Sequence, residues 1–95
     1  MDLNDIANYC EFTNCTVTLG SADGGSIDVD GGGVTGSFNA YRRFLAHHEM
    51  SALSSPAHVL KAADRFTIVR EGESTDLSRV DFEMELRRFQ DLVGT

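Results

Sequence analysis

The side chains of this 95-residue chain best suited to chemistry are two cysteines, three histidines and fifteen carboxylates. Cys10 or Cys15 with His47, His48 or His58 could be drawn as a nucleophile–base pair. Nothing beside either thiol in the sequence activates it, so no enzyme activity is assigned. A metal site built from Cys10, Cys15, His47 and His58 matches no standard zinc spacing. Adjacent helical residues such as His47 and His48 point about 100° apart and do not share one ion. On a strand, positions 10 and 15 would face opposite ways, so both cysteines are expected as reduced thiols, with Cys15 a small core residue.

Gly31-Gly32-Gly33-Val34-Thr35-Gly36 matches G-x-G-x-x-G literally. In a dinucleotide site those glycines bring the backbone to a pyrophosphate at a helix N-terminus. Here Asp28 and Asp30 stand just upstream, no cation is near in sequence, and the chain is too short for a doubly wound sheet. A flexible loop or strand bend is the expected role. Asp28-Val29-Asp30 begins like a calcium loop, but Gly32 and Asn39 stand where further ligands are needed. No cofactor and no metal is expected.

The carboxylates have a spacing with a physical consequence. Alternate residues of a strand share a face and stand about 6.6–6.8 Å apart. As strand residues, Asp28/Asp30, Glu71/Glu73 and Asp81/Glu83/Glu85 would each form a short row of fixed negative charge, with Asp23 in the turn before the first pair. Nucleic-acid backbones present anions on a similar scale, about one per 3.4 Å of axis on each strand. Rows gathered on one exposed face would look something like DNA to a basic nucleic-acid-binding groove.

Charge is distributed unevenly along the chain. Fifteen Asp and Glu against eight Lys and Arg give a formal charge of −7. The first 41 residues carry Asp2, Asp5, Glu11, Asp23, Asp28 and Asp30 and no Lys or Arg, whereas natural surfaces usually mix the signs. Direct nucleic-acid binding needs a basic stripe and is therefore not expected. No apolar run approaches the ~20 residues of a membrane span. The acidic start, Met1-Asp2-Leu3-Asn4-Asp5, is unlike a secretory signal. A single domain over residues 1–95 and a cytoplasmic location are the expectations.

Several elements are needed to position these groups. Cys15, Val17 and Leu19 alternate with polar residues, as do Ile27 and Val29 after a glycine-rich turn, and together they predict an antiparallel hairpin. Val34-Thr35 can extend its second strand past the glycines. Phe38, Tyr41, Phe44, Leu45 and His48 fall at helical spacing, with Thr35 or Ser37 available as N-cap. Ser55-Pro56 starts a second helix carrying Val59, Leu60 and Ala63, and Phe66–Arg70 is a strand closed by Gly72. Val80, Phe82, Met84 and Leu86 alternate with charged residues, which predicts a strand over 79–87 and a short terminal helix. Phe82, Leu86, Phe89 and Val93 fit a helix instead. The expected fold is α+β: an antiparallel sheet of about four strands with two helices on one face, in the order ββααββ, with ββααβα as the alternative.

In size, acidic balance and carboxylate rows such as Asp81-Phe82-Glu83-Met84-Glu85, the chain resembles the small phage- and mobile-element-encoded anti-CRISPR proteins of the DNA-mimic type. That resemblance implies a non-enzymatic, stoichiometric inhibitor working in the host bacterial cytoplasm. Its acidic face would dock into a Lys/Arg-lined DNA or protospacer-adjacent-motif channel of a CRISPR effector complex and exclude target DNA. Asp28, Asp30, Asp81, Glu83 and Glu85, with Asp23, Glu71 and Glu73, would stand in for phosphates, and Tyr41 or a loop apolar group would anchor the contact. The inhibitor itself is expected as a monomer or weak dimer. The arginine doublets Arg42-Arg43 and Arg87-Arg88 depart from a pure mimic. They suit the alternative: an antitoxin-like or oligomerising adaptor acting through the Phe38–Met50 helix.

Overall fold

A computed structural model describes residues 1–21, 25–36, 38–51 and 54–94. Nine elements follow in chain order: α1 (Leu3–Thr13), β1 (Thr16–Gly20), β2 (Ser26–Asp30), β3 (Gly33–Thr35), α2 (Phe38–His47), α3 (Pro56–Ala62), β4 (Arg65–Arg70), β5 (Glu73–Ser78) and α4 (Arg79–Val93). The strands form one antiparallel sheet in the order β3-β2-β1-β4-β5. The α+β class, the β1–β2 hairpin and the Ser55 cap of α3 agree with the sequence. The strand count and element order do not.

No element is expected before Asn14, yet α1 is a full helix there. Asp2 caps it by accepting from the Asp5 amide at 2.8 Å, and the Asp5 carboxylate accepts from the Asp2 amide at 2.9 Å. This reciprocal box satisfies two donors that helix geometry leaves unpaired. Ile6, Tyr9 and Cys10 then fall on one face and are buried. β5, Glu-Ser-Thr-Asp-Leu-Ser, has almost no apolar alternation, with only Leu77 partly covered. It is a strand because Glu71 (φ 52°) and Gly72 (φ 81°) turn the chain tightly back beside β4, where backbone pairing along the sheet edge needs no hydrophobic side chains.

The strand expected over 79–87 is a helix. Ser78 accepts from the Asp81 amide at 3.2 Å, and Phe82, Leu86 and Phe89 turn inward at helical spacing. Phe82 stacks on Phe66 of β4 at 4.6 Å between ring centroids, and the Tyr9 ring meets Phe82 edge-on at 6.2 Å and Phe89 at 5.2 Å. Offset and edge-to-face aromatic pairs add about 0.5–1.5 kcal/mol each beyond burial. That seam outweighs leaving Val80 and Met84, the other half of the alternating pattern, each 65% exposed. Arg79 ties α4 to α3: its guanidinium donates to the carbonyls of Leu60, Lys61 and Ala63 at the end of α3 and lies 5.4 Å from the Phe66 ring.

Ile6, Tyr9, Cys10, Phe44, Leu45, Val59, Leu60, Phe82 and Leu86 from the helices share one core with Val17, Leu19, Ile27, Val29 and Phe66 of the sheet. Gly25 brings the β1–β2 hairpin hard against α2, since a Cβ there would stand 2.6 Å from the Phe44 Cα. All helix packing among the described residues falls on the face that these inward sheet residues share, so the opposite face of the sheet is left uncovered.

Candidate partner-binding face

Sheet register decides which carboxylates meet on the uncovered face. Asp28 pairs with Thr35 and Thr18, Thr18 with Thr67, and Thr67 with Asp76. Residues opposite one another across strands share a face, so Thr35, Asp28, Thr18, Thr67 and Asp76 make one row across all five strands. Thr18 donates to the Asp28 carboxylate at 2.7 Å, and Thr67 to Asp76 at 2.6 Å. Each bond holds one carboxylate oxygen in place and leaves its charge intact. Asp30, two residues from Asp28, lies on the same face about 6.8 Å along the strand, and Asp76 stands three strand gaps away, about 14 Å. Among the described residues none of these three acids forms an ion pair. Arg65 shares the face at its far end, opposite Gly20.

At the other end, a shallow groove of about 670 Å³ is lined by Glu11, Asp30, Glu71, Val69 and the two cysteines. Asp28 and Asp30 therefore hold the positions expected of them, and Glu71 joins from the β4–β5 turn. The remaining predicted residues scatter. Asp23 lies outside the described residues, as does the Ser37 cap. Because Glu71 is in the turn, Glu73 does not continue its row: Glu73 pairs in register with Arg70 and lines a second groove with Tyr9 and Glu85. On α4 the Asp81/Glu83/Glu85 row does not exist, because i and i+2 point to different sides of a helix. Glu83 lies 3.7 Å from Arg79, and Glu85 accepts from Arg88 at 2.7 Å and from the Tyr9 hydroxyl at 3.4 Å. Tyr41 packs partly against the core rather than standing free as an anchor.

Asp76 and Glu11 are the acids that sequence reasoning missed. Glu11 has only its place in an unpredicted helix as a signal. Asp76 has one clue, the Thr-x-x-x-x-x-x-x-x-Asp complement of Thr67 across a two-residue turn, but that clue is readable only once β5 is known to be a strand.

The other motifs resolve into structure. Gly31 and Gly32 form the turn between β2 and β3, and the Asp30 carboxylate takes the Gly32 amide at 2.8 Å, the kind of donor a phosphate would use. Among the described residues no three His, Cys, Asp or Glu side chains converge as metal ligands. In the second groove, burial and then the Glu85 carboxylate raise the Tyr9 phenol above its ordinary value, so it remains a hydrogen-bond donor well past neutral pH. No helix among the described residues is long and apolar enough to cross a membrane. Comparison with family models, curated proteins and solved structures finds no match to this chain.

Proposed function

We propose that the chain is a non-enzymatic inhibitor that sets its acidic sheet face against a Lys/Arg-lined nucleic-acid-binding surface and keeps DNA from it. The carrying observation is the uncovered face with Asp28, Asp30 and Asp76, unneutralised among the described residues, Asp28 and Asp76 oriented by threonine hydroxyls and Asp30 by the Gly32 amide. A rigid sheet fixes anion positions without conformational cost on docking, and the Asp28–Asp30 interval is close to phosphate spacing. Concentrated charge of one sign speeds encounter with a basic groove by 10-fold to 10³-fold and makes it sensitive to salt. The partner class suggested by the resemblance is a CRISPR effector complex. The mimicking residues are centred on the sheet, with Glu11 and Glu71 at its end, instead of on α4.

The test is competition. Purified chain is titrated into effector complexes of several types with labelled target DNA, and DNA binding is read by mobility shift at low and moderate salt. Displacement that weakens with salt is expected from wild type. The variant Asp28→Lys/Asp30→Lys/Asp76→Lys should lose it by at least about tenfold. Asp81→Lys/Glu83→Lys/Glu85→Lys should retain more inhibition than the sheet variant. The reading fails if no complex is inhibited, or if the folded sheet variant inhibits as well as wild type.

A further inference from the structure

The two cysteines, expected on opposite sides of a strand, are neighbours. α1 ends where Asn14 adopts the left-handed conformation (φ 54°, ψ 55°), and the chain doubles back so that the Cys15 amide donates to the Cys10 carbonyl at 3.1 Å. This six-to-one closure brings the side chains of its first and last residues together. Here both are thiols, and both line the same groove.

Their surroundings differ. Cys10 is 2% exposed, and its thiol donates to the Val29 carbonyl at 3.4 Å. Burial, and then the Cys15 thiol beside it, push Cys10 up to about 12. Cys15 is 8% exposed at the floor of the groove lined by Glu11, Asp30 and Glu71. Its sulfur lies 3.1 Å from the Thr13 hydroxyl, and Arg70 stands across from Cys15 where the β1–β4 register continues one step past Thr16 and Val69. Thr13 gives its single proton to the Tyr9 carbonyl at 2.7 Å, so its oxygen accepts from the Cys15 thiol. Cys15 thus has a cationic residue on the neighbouring strand and more access to the groove than Cys10, the kind of setting in which thiols react.

We propose that Cys15 is a peroxide-reactive thiol and Cys10 its resolving partner, so that oxidation forms a reversible Cys10–Cys15 disulfide. The Cys15 thiolate attacks one peroxide oxygen. The S–O bond forms, the O–O bond breaks, and the departing hydroxide takes up the proton that Cys15 released, leaving as water. The Cys10 sulfur then attacks the Cys15 sulfenic sulfur. The S–S bond forms, the S–O bond breaks, and a second water leaves with the Cys10 proton. Two thiols are oxidised and one hydrogen peroxide is reduced to two waters. Cys10 is too buried and too weakly acidic to react first, and conversion of Cys15 to a neutral sulfenic acid removes the neighbouring charge that opposes Cys10 ionisation.

The 95-residue chain is treated with hydrogen peroxide under native conditions and followed by intact mass and peptide mapping. Loss of two hydrogens, mapped to a link between Cys10 and Cys15 and reversed by dithiothreitol, is expected. In Cys10→Ser, Cys15 should be trapped as a dimedone-reactive sulfenic acid. In Cys15→Ser, Cys10 should oxidise at least about tenfold more slowly than Cys15 does in wild type. Arg70→Met should slow Cys15 oxidation while leaving the circular dichroism spectrum unchanged. The proposal is overturned if both thiols stay reduced while free cysteine in the same tube is consumed. Cys10 reacting first, or disulfides forming only between chains, overturns it equally.

Discussion

Replacing Arg79 by methionine tests the joint that makes the last segment a helix. Methionine keeps much of the side-chain volume and loses the guanidinium. Three carbonyls at the end of α3, those of Leu60, Lys61 and Ala63, lose their donor. A hydrogen bond to a charged group is worth about 1.5–3 kcal/mol when its partner is removed. The Arg79 side chain is 32% exposed, so water recovers part of that for each carbonyl. The pair with Glu83, whose side chain is 45% exposed, adds less than about 1 kcal/mol, and the contact over Phe66 about 0.5–1 kcal/mol. The summed expectation is a loss of about 2–3 kcal/mol out of a typical total of about 5–15 kcal/mol. Urea unfolding should show a lower midpoint with an unchanged slope, and Tm should fall by about 10–20 °C. Glu83→Gln serves as the control, with a change under about 1 kcal/mol. Arg79→Lys keeps the charge but not the fork, and should recover only a fraction of the loss. A loss below about 0.5 kcal/mol for Arg79→Met, or one no larger than that of Glu83→Gln, would refute the reasoning.

Two further perturbations probe the fold. Val80→Glu/Met84→Glu should change stability by no more than about 0.5 kcal/mol per site, because both side chains face water; a cooperative collapse in urea would mean that they lie in a core after all. Stability should also fall in alkali. Cys10 is raised from an ordinary value near 9 to about 12 by burial and the adjacent Cys15, so above pH 9 the unfolded chain releases a proton that the folded chain keeps. The contribution of Cys10 is fully present below pH 9 and is lost on the way to pH 12, with a slope approaching about 1.4 kcal/mol per pH unit; Tyr9, also raised, acts in the same direction above its ordinary range. Cys10→Ala should flatten urea-midpoint profiles over pH 9–11, and an identical slope in that variant would exclude Cys10 as the source.

The contrast between elements read correctly and those misread follows the range of the forces involved. The β1–β2 hairpin, the apolar face of α2 and the start of α3 at Ser55 are local matters: a period, a turn, a cap. They were determined by residues within a few positions of one another. The capping box of α1 is just as local, with Asp2 and Asp5 satisfying amides as well as carrying charge, so a carboxylate counted only as an anion hides a helix start. Residues 79–87 satisfy both periods, and no local rule separates them. The decision came from partners far away in the chain: Phe66 and Tyr9 offered an aromatic seam to one face of a helix, and the sheet edge beside β4 was already occupied by β5. The acidic face has the same origin. By itself the sequence determined that negative charge dominates and that Asp28 and Asp30 share a side of one strand. Only antiparallel register across β2, β1, β4 and β5 placed Asp76 in that row, because which strands lie side by side is set by burial of a common core. The same tertiary packing dispersed the acids of α4 among arginines and folded Cys15 back onto Cys10.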